Sequence, residues 1–350
     1  MSGRPFPCKQ QTNNMIKKIL LGILAVVFIA VVAFVIYVQS SWNKTYEVSY
    51  PDLQISTDSA VLARGEYLVN GPAHCASCHV GSFKDLVAVD KGTSVPLKGG
   101  IEFPLGPLGK VYPANLTPDS ETGLGRYEQG QIFRMMRHAV KPNGQATLTP
   151  LMPFYNMADE DLEAIVSYLL SLDPVKNEVQ QPKWTFLGKM IRSMEPPVFS
   201  PVTNGEAPEK APPMEATLER GEYLANYVAN CVGCHTPRDP QTFEAVGAEF
   251  SGGFEMEPFP ALHKELGVDP DLWTRTPNIT PHPESAFSRF KSLEEWKRRF
   301  RQGRIIPQSP MQWGSFSRLN DEDIEALWIY LNSLEPVEHD IGDIVFKRER

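Results

Sequence analysis

The sequence predicts an all-α chain: two tandem helical domains behind one N-terminal transmembrane helix. Three observations predict it. Ile19 to Val38 is a run of twenty residues without a charge, about the length a helix needs to cross a bilayer's hydrocarbon core. The remainder repeats itself at an offset near 156 residues. Apolar residues at helical spacing close both copies, at Leu162, Ile165, Val166 and Leu169 and at Ile324, Leu327, Trp328 and Leu331.

The N-terminal helix comes first. Lys17 and Lys18 abut its start while Gln39, Ser40, Ser41 and Trp42 follow, so the positive-inside rule assigns residues 1–18 to the cytoplasm and the chain beyond about Ser40 to the opposite side. A cleaved signal peptide normally has an apolar region of roughly 7–15 residues and an Ala-x-Ala-like site. Val38-Gln39-Ser40 is a poor match, which favours an uncleaved single-pass anchor over residues 19–38. Cys8 then lies on the reducing side as a free thiol.

Charge and composition narrow the rest. The net charge is −8, but residues 1–45 hold five bases and no acid, so the remainder carries −13. An acidic exported part excludes nucleic acid as a partner, because phosphate binding needs a basic surface. Five cysteines are too few for a disulfide scaffold.

The duplication is explicit. Arg64-Gly65-Glu66-Tyr67-Leu68 recurs as Arg220-Gly221-Glu222-Tyr223-Leu224, each with its Gly ten residues before a Cys-x-x-Cys-His motif, Cys75-Ala-Ser-Cys78-His79 and Cys231-Val-Gly-Cys234-His235. Asn115-Leu-Thr-Pro118 returns as Asn278-Ile-Thr-Pro281, and Asp159-Glu-Asp-Leu162 as Asp321-Glu-Asp-Ile324. Domains over 52–174 and 214–337 follow, with a proline-rich connector (175–213) between them and a tail (338–350) behind. Residues 174–213 hold eight prolines, which makes that segment semi-rigid. Its middle, Trp184 to Met194, has the makings of a short amphipathic helix with Lys183, Lys189 and Arg192. We expect it to pack across the two domains rather than touch a membrane surface or a partner.

Within each copy a helix is expected before the motif, from about Ser59 to Asn70 and from Glu215 to Asn230. A glycine inside it (Gly65, Gly221) costs about 1 kcal/mol against alanine. Its presence in both copies therefore predicts a close helix crossing, with Tyr168 or Tyr330 of the closing helix as the contact. The closing helices begin with three acids, which favour the positive end of the helix dipole, and stop at Pro174 and Pro336.

Cys-x-x-Cys-His is the pattern for covalent haem attachment. Each thiol adds to one vinyl group, and the adjacent imidazole points at the iron, so Cys75, Cys78, Cys231 and Cys234 are the attachment residues and His79 and His235 the proximal ligands. A zinc site wants its Cys pairs about 15–20 residues apart, and a thioredoxin-like dithiol wants a βαβ setting. Neither suits this sequence. The sixth ligand in cytochromes is commonly a methionine. Met152 and Met311, 73 and 76 residues after their histidines, precede the closing helices, where a distal ligand belongs. Met157, Met135, Met136, His138, His263 and His282 compete with them, while His74, directly before Cys75, cannot reach the far face.

These motifs resemble those of dihaem class I cytochromes c, especially the cytochrome subunits of membrane-bound periplasmic dehydrogenases. The resemblance rests on Arg-Gly-Glu-Tyr-Leu before each haem motif, Asn115-Leu-Thr-Pro118 followed by Gly123-Leu-Gly125, and Met152-Pro-Phe154 before Asp159-Glu-Asp-Leu162. It covers both repeats but not the anchor, the connector or the tail. It implies two cytochrome domains with two covalently bound haem c groups, ligated by His79/Met152 and His235/Met311. The second copy departs at Ala286-Phe-Ser288, where the first has its glycines, and at Gln312, where Pro usually follows the ligand. The expected role is electron relay at a bacterial inner membrane, from a periplasmic dehydrogenase or quinol oxidoreductase to a downstream carrier or oxidase. The rival reading is a dihaem enzyme, a peroxidase or a thiosulfate-oxidising cytochrome. The first needs an open iron and the second a further exported Cys, and neither is evident.

Overall fold

The computed structural model describes residues 9–240, 242–257 and 264–348. Cys8, His263 and the chain ends at 1–8 and 349–350 lie outside the described residues. The charge-free run folds within one helix, α1 (Lys9–Ser41). Its span Met15–Ser41 is long and apolar enough to cross a membrane, about 40 Å at 1.5 Å per residue.

The first half (52–174) builds α2 (Ser59–Asn70), α3 (Phe83–Asp90), α4 (Gln129–His138) and α5 (Asp159–Ser171). The connector supplies α6 (Phe186–Ser193). In the second half (214–337) follow α7 (Leu218–Tyr223), α8 (Cys231–His235), α9 (Leu293–Arg301), α10 (Trp313–Phe316) and α11 (Asp321–Ser333). Asp58 caps α2, its carboxylate accepting from Ala60 N at 2.7 Å. The expected helix from Glu215 starts later, at Leu218, because Thr217 Oγ1 accepts from Arg220 N and makes Thr217 the cap. It also widens into a π-helical turn over Leu224–Val228.

Both mid-helix glycines mark crossings. A Cβ on Gly65 would stand 2.0 Å from the Ala164 carbonyl oxygen and 2.6 Å from Tyr168 Cβ; on Gly221 it would stand 2.0 Å from Ala326 O and 2.7 Å from Tyr330 Cβ. Helix α2 therefore lies on α5, and α7 on α11, at a separation only glycine permits.

Two small antiparallel sheets interrupt the otherwise helical fold. β1 (Phe103–Pro104), β2 (Gly109–Val111) and β3 (Lys183–Trp184) form one, and β4 (Glu255–Met256), β5 (Leu272–Arg275) and β6 (Val345–Lys347) the other. Strands of two to four residues are too short for alternation to register in a sequence. The tail thus takes part in the fold, since β6 pairs with β5.

The connector helix does not bridge the two halves as expected. Helix α6 lies against the end of α1 and against the loop before β2: Phe34 and Phe186 meet edge to face at 6.4 Å, and Thr185 Oγ1 donates to Pro107 O at 2.7 Å. What joins the halves is a reciprocal exchange of tyrosines. Tyr67 OH donates to Asp323 Oδ2 at 2.6 Å and accepts from Asn320 N at 3.2 Å. Tyr223 OH donates to Asp161 Oδ2 at 2.6 Å and accepts from Ala158 N at 2.9 Å. Each phenol thus satisfies the first turn of the other half's closing helix. Arg220 grips Asp323 through two bonds of 2.7 and 2.9 Å with both side chains fully buried, and Arg64 holds Asp161 at 2.6 Å. The buried apolar residues of both halves form one continuous core.

Candidate haem-attachment sites

The first Cys-x-x-Cys-His motif follows α2, and the second follows the π-helical turn that ends the α7 segment. The residue before the first cysteine is left-handed in both, His74 at φ 43° and Asn230 at φ 51°, a conformation for which His and Asn are enriched among non-glycine residues. Cys75–Ser77 then forms one 3₁₀ turn, and Cys231–His235 one α-turn. In the first motif Cys78 N and His79 N both donate to Cys75 O, at 3.1 and 2.9 Å. The thiols of Cys75, Cys78 and Cys231 pack against the apolar core, and Cys234 is exposed. Burial pushes Cys75, Cys78 and Cys231 up to about 12.

The imidazoles are held alike. His79 Nδ1 lies 2.8 Å from Ala114 O, and His235 Nδ1 lies 2.8 Å from Pro277 O. A carbonyl only accepts, so Nδ1 carries the proton and Nε2 keeps its lone pair free for a metal. Burial draws both imidazoles below their usual pKa, against the pull of these carbonyls. Both rings therefore sit in the neutral form that ligates.

The repeated Asn-Leu/Ile-Thr-Pro segment positions those carbonyls. Asn115 Nδ2 donates to Val175 O and Asn278 Nδ2 to Val337 O, each at 2.8 Å. Asn115 Oδ1 accepts from Thr117 N and Thr117 Oγ1, and Asn278 Oδ1 from Thr280 N and Thr280 Oγ1. Each asparagine thus ties the loop that carries the accepting carbonyl to the chain just past the closing helix.

Two glycines that sequence reasoning missed complete the arrangement. Gly99 N donates to His79 O at 2.9 Å and Gly252 N to His235 O at 2.7 Å. At φ +65° and +75°, a Cβ would come within 2.3 Å of Ala114 O and 2.5 Å of Asn278 N. Their signal was the recurrence of a Gly-Gly pair, 99–100 and 252–253, between each histidine and each asparagine.

Met152 and Met311 are both half-buried against the core, each in a loop ahead of its closing helix. Met152 N donates to Thr149 O at 3.1 Å, and Met311 O accepts from Trp313 N at 2.8 Å. The competitors have other places. Met157 is fully buried and Met136 nearly so, and Met135 is half-buried on α4. His138 Nδ1 donates to Val202 O at 2.8 Å, His282 Nδ1 accepts from Glu284 N, and His263 is outside the described residues. His74 packs between Phe154, at a tilt, and Phe316, edge to face, with ring centroids at 6.2 and 5.5 Å. Among the described residues, no three His, Cys, Asp or Glu side chains converge as a metal-ion cage. Paired thiols one turn apart beside an imidazole with a free Nε2 fit a covalently held haem.

No protein-family model matches the chain. Among curated proteins, the gluconate 2-dehydrogenase cytochrome c subunit of Pantoea cypripedii is 33% identical over 289 residues, 79% of this chain and 60% of the relative. The cytochrome c subunit of the quinone-dependent alcohol dehydrogenase of Gluconacetobacter polyoxogenes is 27% identical over 309 residues, covering 83% and 59%. The fructose dehydrogenase cytochrome subunit of Gluconobacter japonicus is 28% identical over 308 residues, covering 81% and 54%. The chain is homologous to cytochrome c subunits of dehydrogenases. The chain spans 54–60% of the length of these relatives.

Proposed function

We propose that the protein is a membrane-anchored dihaem cytochrome c that relays electrons from a periplasmic dehydrogenase or quinol oxidoreductase to a downstream carrier or oxidase. The observation that carries this reading is the equivalence of two Cys-x-x-Cys-His motifs, each with its imidazole Nδ1 donating at 2.8 Å to a backbone carbonyl. On this reading Cys75, Cys78, Cys231 and Cys234 bear thioethers, His79 and His235 are proximal ligands, and Met152 and Met311 are distal ones. A haem held by these residues would supply one-electron redox chemistry. The chain's own part is to fix each imidazole's tautomer and orientation, keep water from the iron with the core on which the methionines pack, and hold the two halves in one relative position. The anchor is α1, with both halves on the periplasmic side of the inner membrane. We read the alcohol, gluconate and fructose dehydrogenase relatives as pointing to a dehydrogenase of small polar organic substrates as the electron source.

The test is spectroscopic. A pyridine haemochrome assay on the purified chain should return two haems, and one or none overturns the dihaem reading. Met152→Ala and Met311→Ala should each open one ferrous haem to carbon monoxide and together abolish the weak near-infrared band of methionine-ligated ferric haem. Unchanged spectra mean that other residues ligate.

A further inference from the structure

Helix α6 belongs to neither half's haem site, yet it is built with care. Thr185 Oγ1 caps its N-terminus at Gly188 N, 3.1 Å away, and Gly188 passes so close to the loop before β2 that a Cβ would lie 2.1 Å from Leu108 O. Arg192 is buried with its guanidinium over the Trp184 and Phe199 rings, at 4.7 and 5.0 Å. Those contacts fasten one side of α6 to the first half. A second side is fastened to α1: Tyr37 OH donates to Ser193 O at 3.1 Å, Lys189 Nζ to Gln39 Oε1 at 3.2 Å and Arg192 Nε to Trp42 O at 3.3 Å. Phe186 meets Phe34. What remains of its surface is apolar, since Phe186 is 44% exposed and Leu187 38%, with Met194 just beyond the helix at 72%.

Depth decides what faces that surface. The charge-free run ends at Val38, and at 1.5 Å per residue Phe34 lies about 6 Å inside that end. Phe186, in ring contact with Phe34, shares that depth. The polar contacts of α6 fall at Tyr37, at the very end of the charge-free run, and at Gln39 and Trp42 beyond it, the level of the headgroups, where Lys189 also stands 4.9 Å over the Trp42 ring. An amphipathic helix lying in a membrane interface buries its apolar face about 5–10 Å below the headgroup boundary, which is the depth Phe186 reaches.

We propose that α6 is a second membrane contact, an interfacial helix whose Phe186, Leu187 and Met194 enter the lipid leaflet beside α1 and seat the first half on the bilayer surface. This rests on the reading of α1 as a spanning anchor. The occupant of the apolar surface is lipid, because the surface continues the lipid-facing side of α1 at the same depth. Because α6 is fastened both to α1 and to the first half, its insertion beside α1 would set the height and tilt of the Cys75–His79 motif above the bilayer.

The test uses the full haem-loaded chain with Cys8→Ser, one chain per nanodisc of phosphatidylcholine and phosphatidylglycerol, so that neither a partner protein nor a second copy is present. Single cysteines are introduced as Leu187→Cys, Leu24→Cys in the middle of α1, and Val246→Cys on an exposed loop of the second half. Labelling by a membrane-impermeant maleimide is then followed by mass spectrometry. With α6 in lipid, Leu187→Cys should label about tenfold or more slowly than Val246→Cys, and as slowly as Leu24→Cys. Leu24→Cys protected but Leu187→Cys labelling at the Val246→Cys rate sinks the interfacial helix and leaves the anchor intact. Free labelling of Leu24→Cys sinks the anchor, and this proposal with it. Should Leu187→Cys fail to load haem, Phe186→Cys replaces it with the same expectations.

Discussion

Two glycines decide whether each half can close. At Gly65 and Gly221 the helix before the haem motif runs so near the closing helix that a methyl group would overlap a backbone carbonyl, with both Cβ positions 2.0 Å from the oxygens of Ala164 and Ala326. Alanine is the better helix former by about 1 kcal/mol, but neither carbonyl is the free end of a flexible side chain, and overpacking typically costs about 1–3 kcal/mol. The collision outweighs the propensity. Gly65→Ala and Gly221→Ala should each lower the midpoint of thermal unfolding of the haem-loaded protein by several degrees, at about 2–4 °C per kcal/mol for a protein of this size class. A midpoint unchanged or raised would mean that the helices are free to separate at the crossing.

At the scale of elements, the loop carrying Asn115 sets the electronic environment of His79, the proposed proximal ligand of the first site. Its Ala114 carbonyl accepts the His79 Nδ1 proton, which makes the ring a stronger donor and favours the oxidised, more positive metal. Asn115→Ala cuts the bonds to Val175 and Thr117 that hold this loop. The midpoint potential of one haem should then rise by a few tens of millivolts, on a scale where about 59 mV is a tenfold change for one electron. Asn278→Ala should do the same to the other haem only, as read by optical redox titration; equal shifts in both haems from either variant would contradict the assignment. The asparagines were visible in the sequence as part of a repeat, but their partners were not, because Val175 and Val337 lie 60 and 59 residues away. The closing helices were legible for the opposite reason: α5 and α11 are specified by local apolar periodicity and three acids in the first turn. The small sheets escaped because their strands are shorter than the patterns that betray a strand. The placing of α6 escaped because it depends on Phe34 and Tyr37, residues some 150 positions away that the apolar run assigns to lipid alone.

Across the whole molecule, the two halves exchange tyrosines in a way that ties their orientation to pH. Tyr67 reaches Asp323 and Tyr223 reaches Asp161, and beside this seam Ser77 and Ser315 meet at 3.1 Å while Arg304 holds Asp90 at 2.5 Å. The first cysteine motif therefore lies against α10, two residues past Met311. Burial first, then the carboxylate each phenol faces, pushes both tyrosines well above their usual pKa near 10. In the folded protein they keep a proton that the unfolded chain releases above about pH 10. The stabilisation is thus fully present below that pH and is lost as pH rises beyond it. Tyr67→Phe removes one donor while Arg220 still partners Asp323, at a cost of about 1–3 kcal/mol near neutrality. It should also flatten the alkaline limb of the stability curve. Denaturant unfolding of wild type, Tyr67→Phe and Tyr67→Phe/Tyr223→Phe between about pH 8 and 11 tests both effects. The three curves should be well separated at the lower pH and converge at the higher, whereas parallel curves would mean that the phenols contribute packing alone and that the seam between the halves has no titrating bond.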